Sequence, residues 1–320
     1  MFEVLESVRF VARESRLVRL NREAAASFAR ELASSRTRPP AWDAAYHLRG
    51  APERVAAYLL VLDTINFCFW PPPGAQRWGV IYDGRTVSGY NGLALALKLA
   101  VERGEPLTDP AFLRDLSPEA LNGILGGAGT LQLLEERAWA LRELGEVLEN
   151  DYGGEAARLV GSVKGWAVSL ARLLAKKLRS FRDVAVYRER GIFFYKRAQI
   201  FAADLFNALG GRGLGAFRDM ENLTAFADYK LPQVLRRLGI LDYEPSLAAQ
   251  VDRRVYLDPG GAEEVEIRAN TIVAVDMISR EARALGHPLR AFEIDGILWH
   301  LGQQRDFREQ PYHRTVTIFY

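Results

Sequence analysis

Apolar residues recur along most of this chain at the three- and four-residue spacing of helices, and only briefly at the two-residue spacing of strands. Phe2–Val18 and Asn21–Ser34 alternate apolar and charged positions as amphipathic helices do, and Asn21 with Glu23 supplies a cap and a first-turn acid for the second. Thr37–Asp43 breaks the pattern. Ala51–Phe69 is apolar nearly all round and predicts a buried helix. Pro52 suits its first turn, Glu53 its positive dipole end, and Pro71, Pro72 and Pro73 stop it. Trp78–Tyr82 and Arg85–Val87 flank Asp83-Gly84 and predict a hairpin. Helical spacing then resumes at Gly89–Glu102 and Leu116–Leu125, where Ser117-Pro118-Glu119 is a capped start. After the loop Gly126–Thr130, with Thr130 as cap, a long helix runs through Glu149. Further helices are expected at Glu155–Val163, Gly165–Arg179, Lys196–Leu209, Asp228–Leu238, Glu263–Leu285 and Leu289–Gln303, and Arg314–Phe319 reads as a terminal strand. No fixed-period repeat or long linker divides the chain. The expectation is a mainly α fold, one helical domain over residues 1–320 with a small β element.

Composition narrows the function classes. The 320 residues are 49% hydrophobic and 26% charged, which suits a globular protein. Net charge is +2, so there is no strong global field for nucleic acid or membrane, and any anion site must be local. A single cysteine, Cys68, excludes an internal disulfide framework, and four scattered histidines argue against zinc. The N-terminus lacks the apolar core of a signal peptide, and no stretch has the apolar length of a membrane span. Cytoplasmic residence is the expectation; oligomeric state is not fixed by the sequence.

Several polar clusters interrupt the apolar helices. In Glu221–Gly239, Asp228 stands at the mouth of a helix that carries Tyr229, Lys230 and two arginines, with Pro232 in its first turn. An aspartate there caps orphan N–H groups, and the same carboxylate suits stabilisation of a cationic sugar during glycosidic cleavage. Asp63–Trp70 closes the buried helix, and its Asn66 needs a partner, while Phe67 and Trp70 offer flat faces for a heterocycle. Lys196 and Arg197 open a helix, where cations oppose the dipole and call for an anion or a carboxylate partner. Of two adjacent helical positions only one is expected to face inward, and Lys196 is assigned that place. Glu266, Arg268, Asp295 and Trp299 lie on the last two long helices.

These blocks carry a resemblance. Asp63–Trp70 (DTINFCFW), Ser88–Leu93 (SGYNGL), Thr130–Gly145, Phe194–Leu205 (FYKRAQIFAADL), Phe226–Gly239 (FADYKLPQVLRRLG), Glu266–Arg268 and Ile294–Gly302 (IDGILWHLG) are similar, in order, to the signature blocks of the queuosine salvage family, the queuosine 5′-phosphate N-glycosylase/hydrolases. The similarity runs from about residue 40 to the C-terminus. It implies a helical fold resembling helix-hairpin-helix DNA glycosylases. It also implies hydrolysis of queuosine 5′-monophosphate to queuine and ribose 5-phosphate, for queuine salvage into tRNA modification. The family's catalytic aspartate falls on Asp228 and its FYKR-type lysine on Lys196; Lys230 stands where relatives are expected to carry Arg.

Residue chemistry fills in the rest. A 7-deazaguanine has no N7 to protonate, so the enzyme must act on the sugar side, where Asp228 meets the developing charge or activates water. Asp295 or Glu266 would accept from the N1–H and N2–H₂ edge, and Phe67, Trp70 or Trp299 would stack on the ring. Lys230, Arg197 and the Ser88–Tyr90 segment are candidates for the 5′-phosphate, His47 for a ribose hydroxyl, and Asn66 and Tyr229 complete the candidate substrate-binding set. No cofactor, metal, nucleic acid or membrane partner is called for. Two other readings remain: a DNA glycosylase, which would bind duplex with steep salt dependence, and a non-catalytic carrier of base or nucleoside, which would return its ligand unchanged.

Overall fold

The computed structural model describes residues 3–320. In chain order it begins with α1 (Glu3–Glu14), β1 (Val18–Leu20), α2 (Arg22–Ser34) and α3 (Pro52–Thr64), followed by the hairpin β2 (Gly79–Tyr82) and β3 (Arg85–Ser88). Helices α4 (Gly89–Glu102), α5 (Pro110–Arg114), α6 (Pro118–Leu125), α7 (Leu134–Tyr152), α8 (Ala156–Ser162) and α9 (Ala167–Lys177) come next. A second hairpin, β4 (Val184–Tyr187) and β5 (Arg190–Phe193), leads into α10 (Lys196–Ala208) and α11 (Lys230–Arg237). The chain finishes with β6 (Leu241–Tyr243), α12 (Pro245–Asp252), α13 (Ala262–Ala284), α14 (Ala291–Leu301) and α15 (Arg305–Arg308). The protein is mainly α, as the periodicity predicts, and its strands form three separate two-stranded antiparallel ribbons, β1–β6, β2–β3 and β4–β5. No helix among the described residues is long and apolar enough to cross a membrane.

Two compact units are each assembled from discontinuous segments. The first takes the residues up to Ala41, Asp183–Gln199 and Asp219–Thr317; the second takes Trp42–Arg182, Ile200–Arg218 and Ile318–Tyr320. In the first unit α13 is the axis, packed against α1, α2, α11, α14 and strands β1, β4 and β6. Its buried positions include Val265, Ile267, Ile272, Val275 and Ile278, and with them the polar Glu264, Glu266, Arg268, Asn270 and Thr271. In the second unit α3 is buried from Tyr58 through Thr64 and packs with α4, α7 and α8.

At two boundaries that differ from the sequence expectation, the ends of α1 and α3, a side chain from a distant element is the cause. The expected helix Phe2–Val18 ends at Glu14 (Phe2 lies outside the described residues) because Glu266 of α13 accepts from the N–H groups of Arg16, Leu17 and Val18 at 3.0, 2.7 and 3.1 Å. These residues turn outward from the helix into β1. The other oxygen of Glu266 accepts from the Tyr187 hydroxyl at 2.7 Å, which anchors β4. The expected helix Ala51–Phe69 stops at Thr64 because the buried Arg137 of α7 donates to the carbonyls of Ile65 and Phe67 and stacks its guanidinium 4.2 Å from the Phe67 ring centre. Thr130 does not cap the long helix; α7 starts at Leu134 behind Leu133, which adopts a left-handed φ of 57°. Residues 314–319 form no strand, and only a bridge between Arg314 and Tyr256 survives there. The β2–β3 hairpin is as expected, with Asp83 and Gly84 both at positive φ. The β4–β5 hairpin was not expected: Arg188 and Glu189 occupy the same left-handed turn without a glycine or asparagine to signal it.

His313 is buried in the first unit, and its pKa is lowered to about 3, first by burial and then by the charge of Arg268. In the unfolded chain an imidazole titrates near its ordinary value of about 6.5. Between those two values the unfolded chain binds a proton that the folded protein refuses, so this contribution to stability is complete above about pH 6.5 and erodes as the pH falls toward 3, at up to about 1.4 kcal/mol per pH unit. The expected outcome is a denaturant midpoint that falls from pH 7.5 to pH 5 more steeply in the wild type than in His313→Gln. Parallel curves for the two proteins would show that His313 is not a source of acid sensitivity.

Candidate active site

Asp228 belongs to a stretch with no regular structure that is nevertheless buried: Leu223, Thr224, Ala225, Phe226 and Ala227 are all shielded from solvent. Buried backbone polar groups must find partners, and a segment outside helix and sheet cannot find them in a ladder. Here side chains supply them. Gln199, in the first turn of α10, accepts from the Thr224 N–H at 2.8 Å and donates to the Thr224 hydroxyl at 3.0 Å. Asp295 of α14 accepts from the Phe226 N–H at 2.7 Å. Arg268 of α13 donates from Nε to the Ala227 carbonyl at 3.0 Å.

The segment delivers the Asp228 carboxylate to the start of α11. Its Oδ1 accepts from the N–H groups of Lys230 and Leu231 at 2.7 and 3.0 Å, so Asp228 caps the helix from one residue outside the formal cap, Tyr229. Pro232 sits in the first turn, where its missing N–H leaves nothing unpaired. Oδ2 has no hydrogen-bond partner among the described residues, and Asp228 is only partly shielded. One oxygen is thus fixed by a helix terminus, and the other is presented outward.

The neighbouring cations are arranged differently from each other. Lys230 Nζ donates to Gln233 Oε1 at 2.8 Å and to the Gly302 carbonyl at 3.3 Å, bracing α11 against the end of α14. Tyr229 packs on Tyr312 with ring centres 4.8 Å apart. Lys196 and Arg197 are both buried, 6% and 2% exposed, which corrects the expectation that only one of them faces inward. The start of α10 is shielded on more than one face because residues 196–199 are all enclosed. The Lys196 N–H donates to Asp183 Oδ2 at 3.2 Å, so Asp183 serves the start of α10 as a remote cap. Trp299 on α14 is half-buried, and both oxygens of Glu266 are occupied by the protein donors described above.

In the second unit a hydrogen-bonded chain links three elements. His47 is buried, with Nδ1 2.6 Å from the Asp43 carbonyl and Nε2 2.9 Å from the Tyr90 hydroxyl, which donates to Asp204 Oδ2 at 2.9 Å. Trp42 lies against the imidazole, ring centres 4.1 Å apart. Burial holds His47 below its ordinary pKa, against the Asp43 carbonyl, which favours the charged ring. Burial, with Asp204 next, pushes the Tyr90 phenol well above its usual range. A carbonyl only accepts, so in this contact Nδ1 carries the proton.

The other candidates of this unit surround the end of α3. Asn66 Nδ2 donates to Asp63 Oδ1 at 3.4 Å, Phe67 is packed beneath Arg137, and Trp70 is 1% exposed with its carbonyl accepting from Gln132. Ser88 precedes α4 without a side-chain capping bond. Within the first unit, then, the fold gathers Asp228, Tyr229, Lys230 and Asp295 along one tied segment, and within the second it joins His47 to Tyr90. Asp183, Gln199, Asp204 and His313 were not among the sequence candidates. Asp183 and His313 carry no local signal, because Arg268, which each of them faces, is 85 residues from Asp183 and 45 from His313 in the chain.

Residues 46–320 match the family described as queuosine salvage protein. A protein of Sphaerobacter thermophilus named queuosine 5′-phosphate N-glycosylase/hydrolase is 43% identical over 317 residues, 99% of this chain and 97% of the relative. Proteins of the same name from Dictyostelium discoideum and Mus musculus are 38% and 33% identical, covering 84% and 98% of this chain and 79% and 98% of their own lengths. With the match spanning nearly its whole length, the chain belongs to the queuosine salvage protein family.

Proposed function

We propose that this protein hydrolyses the N-glycosidic bond of queuosine 5′-monophosphate, releasing queuine and ribose 5-phosphate, with Asp228 as the catalytic carboxylate. The observation that carries the reading is the asymmetry of that side chain: Oδ1 is held by two helix N–H groups, and Oδ2 is left for a ligand. Family membership and the names of the relatives support the substrate.

The chemistry follows from the leaving group. When C1′–N9 breaks, the bonding pair goes to the base and positive charge builds on the ribose. Water adds at C1′, its proton passes to a base, and N9 of the departing heterocycle takes up a proton. A 7-deazapurine cannot be activated by protonation at N7, so the larger share of the barrier is lowered at the sugar. A preorganised carboxylate does this without reorganising in the transition state. The two N–H groups on Oδ1 fix the direction in which Oδ2 points. The same oxygen is available to receive the proton of the attacking water. Lys196 is assigned to the ribose hydroxyls or to the field around Asp228, and Asp295 and Trp299 to the nucleotide. Glu266, already saturated by protein donors, is assigned to the fold rather than to the base.

Asp228→Asn keeps an oxygen for the Lys230 and Leu231 N–H groups and loses the charge. Its kcat for queuine release is expected to fall by about 10²–10³ or more, with thermal unfolding and queuine binding unchanged. A near-wild-type kcat would remove Asp228 from the mechanism. Lys196→Met is expected to lower kcat/KM by about 10- to 100-fold, the loss of one charge-assisted hydrogen bond. Chromatographic release of queuine from queuosine 5′-monophosphate measures both, and an unchanged kcat/KM would assign Lys196 to packing alone.

A further inference from the structure

We infer that the Arg268–Asp183 ion pair is the positioning device of the active site, setting Asp228 and Lys196 in one frame. The inference rests on the reading of Asp228 as the catalytic carboxylate and extends it to residues that touch no substrate.

The geometry is specific. Arg268 is anchored on α13 and almost fully buried. Its Nη1 and Nη2 reach the two oxygens of Asp183 at 2.9 and 2.6 Å, a fork-to-fork pair. Nη1 also meets Glu264 Oε1 at 3.2 Å, and the guanidinium lies over the Phe194 ring, 3.9 Å from its centre. Nε donates to the Ala227 carbonyl, the peptide immediately before Asp228. Asp183 in turn caps the backbone of Lys196. The unbroken run is therefore Asp228 backbone, Ala227 carbonyl, Arg268, Asp183, Lys196 N–H. Lysine has no planar fork, so no other side chain can hold both oxygens of Asp183 and the Ala227 carbonyl at once. The buried cation faces two carboxylates, and His313 beside it is kept neutral. Nothing in this set is exposed enough to be a surface ion pair without structural consequence.

The test uses the full-length protein. Arg268→Lys keeps the charge toward Asp183 and Glu264 but cannot serve the Ala227 carbonyl as well. Asp183→Asn keeps one acceptor for Arg268 and the cap on Lys196, and stands as the second variant should Arg268→Lys not fold. Each is compared with Asp228→Asn, using queuosine 5′-monophosphate as substrate and queuine as binding probe. The expected result is a kcat lowered by about 10- to 100-fold in the positioning variants, a KM changed by less than about threefold, and queuine affinity retained. Partial recovery of kcat when guanidinium ion is added to Arg268→Ala is expected as well. If Asp228→Asn is inactive while the folded fraction of Arg268→Lys or Asp183→Asn turns over at the wild-type kcat, the pair is merely structural and this inference falls while the catalytic reading stands. If Asp228→Asn itself retains activity, both fall.

Discussion

A buried backbone that belongs to neither helix nor sheet must have its amides and carbonyls paired by something else. In this protein that requirement shapes the candidate active site. The stretch ending at Asp228 is enclosed and irregular, and side chains of Gln199, Asp295 and Arg268 take the place of a hydrogen-bonded neighbour strand. Such a segment has essentially one conformation, because each partner comes from a different helix and cannot move alone. A loop tied at one point would sweep an arc; one tied at Thr224, Phe226 and Ala227 delivers its next side chain to a fixed place. Catalysis by field needs this fixity, since a carboxylate free to turn toward solvent would be screened and would have to reorganise as charge develops.

The arrangement has an energetic cost that the fold absorbs. Burying a guanidinium and two carboxylates is favourable only when nearly every donor and acceptor is used. Arg268 meets that condition with two carboxylates, a carbonyl and an aromatic face. Glu266 does the same on the other side of α13, with three amides and a phenol. Apolar residues of similar size often match or exceed the net stability that buried ion pairs supply. What these polar groups contribute is uniqueness: they end α1, start β1, anchor β4 and hold the segment before Asp228.

Much of this was legible in the sequence, and most of the unread part traces to side chains distant in the chain. Helix positions followed from apolar spacing, and Asn21, Ser117 and the Asp83-Gly84 turn behaved as their local chemistry dictates. The helix start in the Phe226–Gly239 block was visible from a capping aspartate followed by a first-turn proline. Helix ends were misplaced wherever a distant side chain competed with the helix for its backbone, as Glu266 does after Glu14 and Arg137 does after Thr64. No local propensity encodes an acceptor located 249 residues away. The same holds for Asp183: its sequence neighbourhood marks the edge of a strand, and its significance appears only once Arg268 is beside it. The β4–β5 hairpin was hidden because its turn places an arginine and a glutamate in conformations usually left to glycine or asparagine.

The polar stripe of α13 has a consequence for evolution and for engineering alike. An α-helix advances about 100° per residue, so a slip of a single position would swing the guanidinium away from Asp183 and drag Glu266 off the amides it serves. Apolar helices in cores can often slide or rotate slightly and repack. This one is keyed, like a shaft with two teeth cut at different angles. Insertions or deletions within its 23 residues should therefore be far rarer among natural relatives than replacements of its aliphatic side chains.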